Sequence, residues 1–364
     1  MTENEALRVS AVVMSHPRRR RLAEQLCAAH PELDLSIVSD PDPTGAPSAW
    51  RTARLAWSAA APDATHHLVL QDDLVLASGF AETLAAAVAE RPRDALSLFA
   101  EWGSRTASAI RVASAHGRSW APVVDDYLPC AALVLPAHVA RGFDRFASET
   151  SSERDPDDVV LLDYLRSIGV RSAALVANPV EHDLVESVVG NTIMGLRRSV
   201  NFVDPSNPPT DSTLDELEAI PYYDWWDQQA AMFVADASAS DGWRRIRSGP
   251  ALERWGLDPA SVRTSVDGLL TAIPTVEQLL DRVSRIVAVE LCIAGILLGL
   301  VARDIGPVPP VANGGPLERT LATLTPGALR RIVPEHRLPL VGELAEPVVR
   351  RGFEAGIGLH PSSS

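Results

Sequence analysis

The chain contains no lysine: all 33 of its basic residues are arginine. That absence excludes Schiff-base chemistry, Walker-type phosphate loops and kinase-like sites, each of which needs a lysine amine. Positive charge is scarce altogether. Against the arginines stand 47 acidic residues, for a net charge of −14, and such a surface argues against binding nucleic acid or anionic membranes. A small basic pocket for a phosphorylated ligand stays compatible with it. Cysteine is nearly missing too. Cys27, Cys130 and Cys292 lie far apart in apolar company with no C-x-x-C pair, so thiolate zinc and a disulfide framework are not expected. Long hydrophobic runs are limited to IVAVELCIAGILLGLVA, Ile286–Ala302, which Glu290 interrupts. Its unbroken part, Leu291–Ala302, is short of the roughly 20 residues a membrane span needs, and a buried core helix is expected. The first residues are acidic and polar, so no export signal and a cytoplasmic location are expected.

What is present is a regular alternation of aliphatic runs and helical patterns. At 364 residues the chain suggests one larger and one smaller domain. LRVSAVVM (7–14) reads as a strand, and Pro17 opens a basic helix to Ala29. LDLSIVS (33–39) is a second strand ending at Asp40, Ser48–Ala60 a helix, HHLVLQD the next strand and Ser78–Ala89 the next helix. ALSLF, CAALVLP and RSAALVA read as further strands, with Asp155–Ile168 helical between the last two. Aliphatic strands without polar alternation, spaced by helices, predict an α/β fold with a mostly parallel sheet covered on both faces. A Pro/Ser/Asp-rich stretch at 201–222 separates this region, 1–200, from a helical one, 223–364. There Trp243–Trp255, Thr275–Arg303, Gly314–Ile332 and Val341–Phe353 carry helical patterns. Abundant alanine and the arginine bias point to a GC-rich bacterial gene.

The chemistry concentrates in LVLQDDLVLASGF, Leu68–Phe80. Ligands of open α/β sheets bind beyond the carboxyl ends of strands, and Asp72 and Asp73 fall at such an end. Adjacent carboxylates raise each other's pKa unless a cation compensates them. A hard divalent ion such as magnesium or manganese, sharing its shell with phosphates, is the natural occupant. A second acidic pair, Asp157 and Asp158, opens a helix in RDPDDVVLLDYLRSIG, where Asp155 as N-cap, Pro156 at the first helical position and Asp158 also make a sensible capping arrangement. The helix dipole is then expected to lower the pKa of these carboxylates. EHDLVESVVGN, Glu181–Asn191, brings a histidine to a strand exit, whereas His66 and His67 are expected to pack or face solvent.

The order of these motifs resembles the nucleotide-sugar-dependent glycosyltransferases of the GT-A fold, over residues 7–195 or so. The resemblance implies a Rossmann-type catalytic sheet, a nucleoside diphosphate sugar as donor, an acceptor hydroxyl, and an inverting, manganese- or magnesium-assisted transfer. It makes Asp73 the metal-binding last position of a DxD motif, with Asp72 as its variable middle and Gln71 in place of the first carboxylate. A glutamine can hold ribose hydroxyls but adds no charge to a metal. His182 completes the metal shell, Ser187 touches phosphate or sugar, and Asp40 meets the nucleobase or ribose. One of Arg18–Arg21, Arg18 by first choice, reaches the diphosphate. Asp158 first and Asp157 second serve as base, and Trp102 stacks on the donor sugar. The helical region supplies acceptor contacts, a homo-oligomer interface or a partner surface. The aromatic run YYDWWDQQ, Tyr222–Gln229, either binds carbohydrate or anchors one domain on another, and anchoring is preferred. Two other readings stay open: a non-catalytic binding module of the same fold, and a sugar-phosphate nucleotidyltransferase, which the turn SHPRRRR does not favour.

Overall fold

The computed structural model describes residues 7–46, 48–183, 194–204, 209–210, 212–214 and 217–359. Its strands are β1 (Val9–Ser15), β2 (Ser36–Ser39), β3 (His66–Gln71), β4 (Leu74–Leu76), β5 (Ala95–Ser97), β6 (Trp120–Pro122), β7 (Ala132–Pro136), β8 (Ser172–Leu175), β9 (Val180–His182), β10 (Ala219–Asp224), β11 (Gln229–Ala235) and β12 (Trp243–Arg247). The helices are α1 (Arg20–Ala29), α2 (Ala49–Ser58), α3 (Phe80–Glu90), α4 (Arg105–Ala115), α5 (Ala137–Thr150), α6 (Asp157–Ser167), α7 (Ser248–Glu253), α8 (Pro259–Thr271), α9 (Val276–Leu280), α10 (Arg285–Ile305), α11 (Pro316–Ala322), α12 (Leu324–Leu329) and α13 (Leu338–Gly358). By contacts the chain forms two compact units. The first holds residues 1–100, 119–192 and 202–212; the second holds 101–118, 193–201 and 213–364. Segments 101–118 and 193–201 thus join the later part of the chain, although the sequence pattern groups them with 1–200.

The first unit is built on a seven-stranded sheet in the order β2-β1-β3-β7-β5-β8-β6. Strands β2, β1, β3, β5 and β8 share one direction, while β7 opposes β3 and β5, and β6 opposes β8. The sheet is therefore mostly parallel, with CAALVLP as an antiparallel insertion that no aliphatic pattern could reveal. Alternate residues feed two cores, as a pleated strand requires. Ala11, Val13, Leu68, Leu70 and Val134 pack with Ala23 and Leu26 of α1 and Phe80, Leu84 and Val88 of α3. Val12, Val69 and Leu133 pack with Trp50 and Trp57 of α2, Phe143 of α5 and Leu161 of α6. Both faces are covered, which is why β3 and β7 read as unbroken apolar runs. His66 and His67 are buried, and burial holds both imidazoles below the usual histidine range. The His67 ring bonds Ser10 Oγ and the Ala56 carbonyl, so it packs rather than reacts.

The second unit is mostly helical but opens on an antiparallel sheet, β10-β11-β12. Two expectations fail here. The stretch expected as linker to 222 already contains most of β10, and Trp243–Trp255 is not one helix but β12 followed by α7. Pairing of Ile246 with Met232 across the sheet overrides the local pattern. Thr275–Arg303 breaks before Ser284, whose hydroxyl caps α10 by accepting the Val287 N–H. Helix α10 is long and apolar enough to cross a membrane, yet 83% of that stretch is buried inside the protein. Gly295 and Gly299 let it approach Gly352 and Gly356 of α13, where added methyls would overlap the facing backbones.

Candidate active site at the carboxyl edge of the sheet

Strand β3 ends at Gln71, and Asp72 and Asp73 make the tight turn into β4. Because β4 pairs with β9, Leu74 lies opposite His182, and the Asp183 N–H donates to the Asp73 carbonyl at 2.8 Å. The fold thereby brings together residues more than a hundred positions apart. Both aspartates are buried, each at 6% exposure, so their partners decide whether the arrangement is tolerable.

Asp72 is fully engaged. Ser15, at the end of β1, donates to its Oδ2 at 2.7 Å, and Arg19 Nη1 lies 3.2 Å from its Oδ1. Burial still pushes its carboxyl above the ordinary range, against the pull of Ser15 and Arg19. Arg19 Nη1 also donates to Asp73 Oδ2 at 2.7 Å, bridging the pair. The arginine reaching the carboxylates is Arg19, whereas Arg18 is exposed. The choice is local. His16 Nδ1 accepts the Arg18 N–H, and the single turn Pro17–Arg19 carries Arg19 inward.

Asp73 Oδ1 is different. It lies 3.5 Å from His182 Nε2, and both atoms are buried without a hydrogen-bond partner among the described residues. His182 Nδ1 is 3.1 Å from the Asp183 carbonyl, which can only accept, so Nδ1 carries the proton there. In a neutral imidazole that leaves a lone pair on Nε2 facing a carboxylate oxygen. Two acceptors in that position need a proton or a cation between them. A separation of 3.5 Å is one that two ligands of a divalent ion, each at about 2.1 Å, can span. Among the described residues, no group of three or more His, Cys, Asp or Glu side chains gathers as a cage. A cation held here would therefore draw its other ligands from water or from a bound phosphate, the usual condition of magnesium sites.

The other expected residues divide. Asp40 is buried after β2, its N–H bonded to the Ser15 carbonyl. Arg51 grips both its oxygens, at 3.1 and 3.2 Å, and the Asp42 N–H adds a third bond. Despite the cost of burial, these partners hold the carboxyl below its usual range. Asp40 thus stands as half of an ion pair with Arg51, a residue that no sequence motif marks. The Gln71 side chain makes no hydrogen bond among the described residues. Trp102 belongs to the second unit, where it is 7% exposed and donates from Nε1 to the Leu196 carbonyl. Ser187 lies outside the described residues.

The second acidic pair shares the sheet edge with the first. The Gln71 N–H bonds the Ala131 carbonyl, and the Leu128 N–H bonds the Asp158 carbonyl. Three residues of chain, about 10 Å at full stretch, therefore separate the two attachment points. The capping expectation fails: Pro156 occupies the N-cap position without a side-chain cap, and Asp155 instead takes bonds from Ser152. The expected lowering by the dipole is also overturned for Asp157. Burial, and then the neighbouring Asp158, raise its carboxyl to about 7. No family model matches the chain, and no curated protein matches it.

Proposed function

We propose that the first unit is a glycosyltransferase that moves a sugar from a nucleoside diphosphate sugar to an acceptor hydroxyl. The observation that carries this reading is the facing pair Asp73 Oδ1 and His182 Nε2, buried at the carboxyl edge of β3 and without a hydrogen-bond partner among the described residues. Manganese or magnesium bound there would supply electrostatic stabilisation of the departing diphosphate. Arg19 adds a second positive group at the same place, and Asp72 with Ser15 holds the guanidinium in position. Asp157, with its carboxyl raised to about 7, suits proton removal from the acceptor near neutrality better than an ordinary aspartate. Burial, and then repulsion from Asp158 adjacent on α6, keep it there. The direct in-line displacement such a base supports is inverting.

The test is thermal unfolding against a panel of nucleoside diphosphates, with and without manganese. Stabilisation by one diphosphate that grows with manganese and disappears in Asp73→Ala supports the reading. No response to any nucleotide sinks it. The non-catalytic module has one observation in its favour: Arg19 already neutralises part of the acidic pair. It predicts nucleotide binding without release of free sugar from any nucleotide sugar.

A further inference from the structure

The hairpin between β10 and β11 presents a ring that folding alone does not explain. Trp225 is buried at 7% exposure, but its neighbour Trp226 is 61% exposed. The two indoles stack at 4.7 Å between centroids with planes 26° apart. The Arg331 guanidinium stands 3.7 Å from the Trp226 centroid and 5.2 Å from that of Trp225. Those separations put Trp225 and Arg331 on the same face of Trp226, since a guanidinium stacked on the opposite face would stand about 8 Å from Trp225. With both groups on one face, the 61% exposure of Trp226 belongs mostly to the other.

The turn that holds this ring is tightly determined. Asp224 Oδ1 accepts the N–H groups of both Trp226 and Asp227, at 2.9 and 3.0 Å. Gln228 sits at φ +53°, a left-handed conformation that costs a non-glycine residue free energy, and its amide donates to the Trp225 carbonyl at 2.7 Å. Beneath, Trp225 is fixed by Arg330, 4.6 Å from its centroid, and Arg330 is paired with Glu101. An exposed indole on a strained, well-braced turn is a presented surface rather than a loose one.

We propose that the open face of Trp226 is a carbohydrate-binding platform that stacks on the C–H face of a neutral pyranose. The surroundings select that ligand. The residues after Trp226 in the turn are the polar Asp227, Gln228 and Gln229, which suit a hydroxylated ligand better than the wide apolar surface a protein partner requires. Two arginines, Arg331 against the ring and Arg245, stand with two aspartates, Asp224 and Asp227, which hold Arg245 at 2.6 and 2.7 Å, so the turn carries no net positive charge to favour a nucleotide's phosphates. Sugar hydroxyls, by contrast, find hydrogen-bonding groups in the turn: Asp227 is half-exposed, and its Oδ1 takes no hydrogen bond among the described residues. The platform lies in the second unit, and its existence does not depend on transfer chemistry in the first.

The test is saturation-transfer NMR and affinity electrophoresis of the full chain against malto-, cello-, xylo-, manno- and galacto-oligosaccharides, with uridine and adenosine monophosphates as competing probes. At least one neutral oligosaccharide should bind, and Trp226→Ala should weaken it about tenfold, the worth of one aromatic contact. Trp226→Tyr should retain part of the affinity. Circular dichroism of both variants should match the parent, while Trp226→Ala should melt slightly lower because it loses the stack on Trp225 and the Arg331 contact. Binding of none of the sugars, equal binding by Trp226→Ala, or binding of the nucleotides alone at this ring would each overturn the proposal.

Discussion

Replacement of Asp157 by asparagine tests the electrostatics of the acidic helix opening most directly. Burial beside Asp158 raises the Asp157 carboxyl from 3.8 to about 7. Between those values the native protein holds a proton that the unfolded chain has released. Stability must then fall as pH rises across that interval, and the loss is complete above about pH 7. Taken at face value the displacement corresponds to at most about 4 kcal/mol. Water still reaches part of the side chain, and screening reduces the expected figure to roughly 1–2 kcal/mol at pH 8. An asparagine side chain carries no charge at any pH, so Asp157→Asn should gain that amount over the parent between about pH 4 and pH 8. Urea unfolding followed by fluorescence, at unit steps of pH, gives the difference curve, in which titrations common to both proteins cancel. A difference that is constant with pH, or that grows in the parent's favour, would refute the assignment. The same carboxyl predicts turnover that rises with pH to a half-maximum near 7 and is lost in Asp157→Asn with donor affinity retained.

Arg19→Met leaves two buried carboxylates without their shared cation and should cost about 3–5 kcal/mol in chelator-treated buffer. Manganese should return part of that stability, giving the variant a larger metal-dependent shift in Tm than the parent; equal shifts would separate Arg19 from the cation site. Gly356→Ala should destabilise by roughly 1–3 kcal/mol, since the new methyl overlaps the Ile296 carbonyl and forces α10 and α13 apart. Unchanged urea unfolding would show that the contact is looser than drawn.

The sheet was legible because its strands are buried on both faces, so VSAVVM, HHLVLQ and ALVLP stand out as apolar runs. Direction was not: nothing local distinguishes ALVLP from a parallel strand, and the reversal comes from pairing with β3 and β5. Helix α4 escaped because Arg105 and Arg111 are buried in it, contrary to the polar face expected of arginine. Arg111 is satisfied by the Thr320 and Trp102 carbonyls, and burial alone pushes its guanidinium down to about 9. Asp72 and Asp73 were legible as charges inside an apolar run. Which of four consecutive arginines meets them was not, because a single turn capped by His16 makes the choice. Trp225 and Trp226 are chemically identical in sequence, and only the hairpin turn sends one inward and the other out.

The acidic pair also divides its work in a way the motif alone does not disclose. Among the described residues the Asp72 carboxylate bonds Ser15 and Arg19, so it acts as a fixed anion that aims the guanidinium. Asp73 gives one oxygen to the same guanidinium and leaves Oδ1 facing His182. Two carboxylates meet one arginine here, so the guanidinium alone does not balance the pair. On the proposed reading, a divalent cation at Oδ1 and Nε2 would add the positive charge that attracts a diphosphate, which Arg19 alone would not supply. Under that reading the glutamine at position 71 fits as well, since a third carboxylate would cancel positive charge that the cation brings. Gln71→Asp should then weaken diphosphate binding in manganese, while Gln71→Asp combined with Arg19→Met should weaken it further.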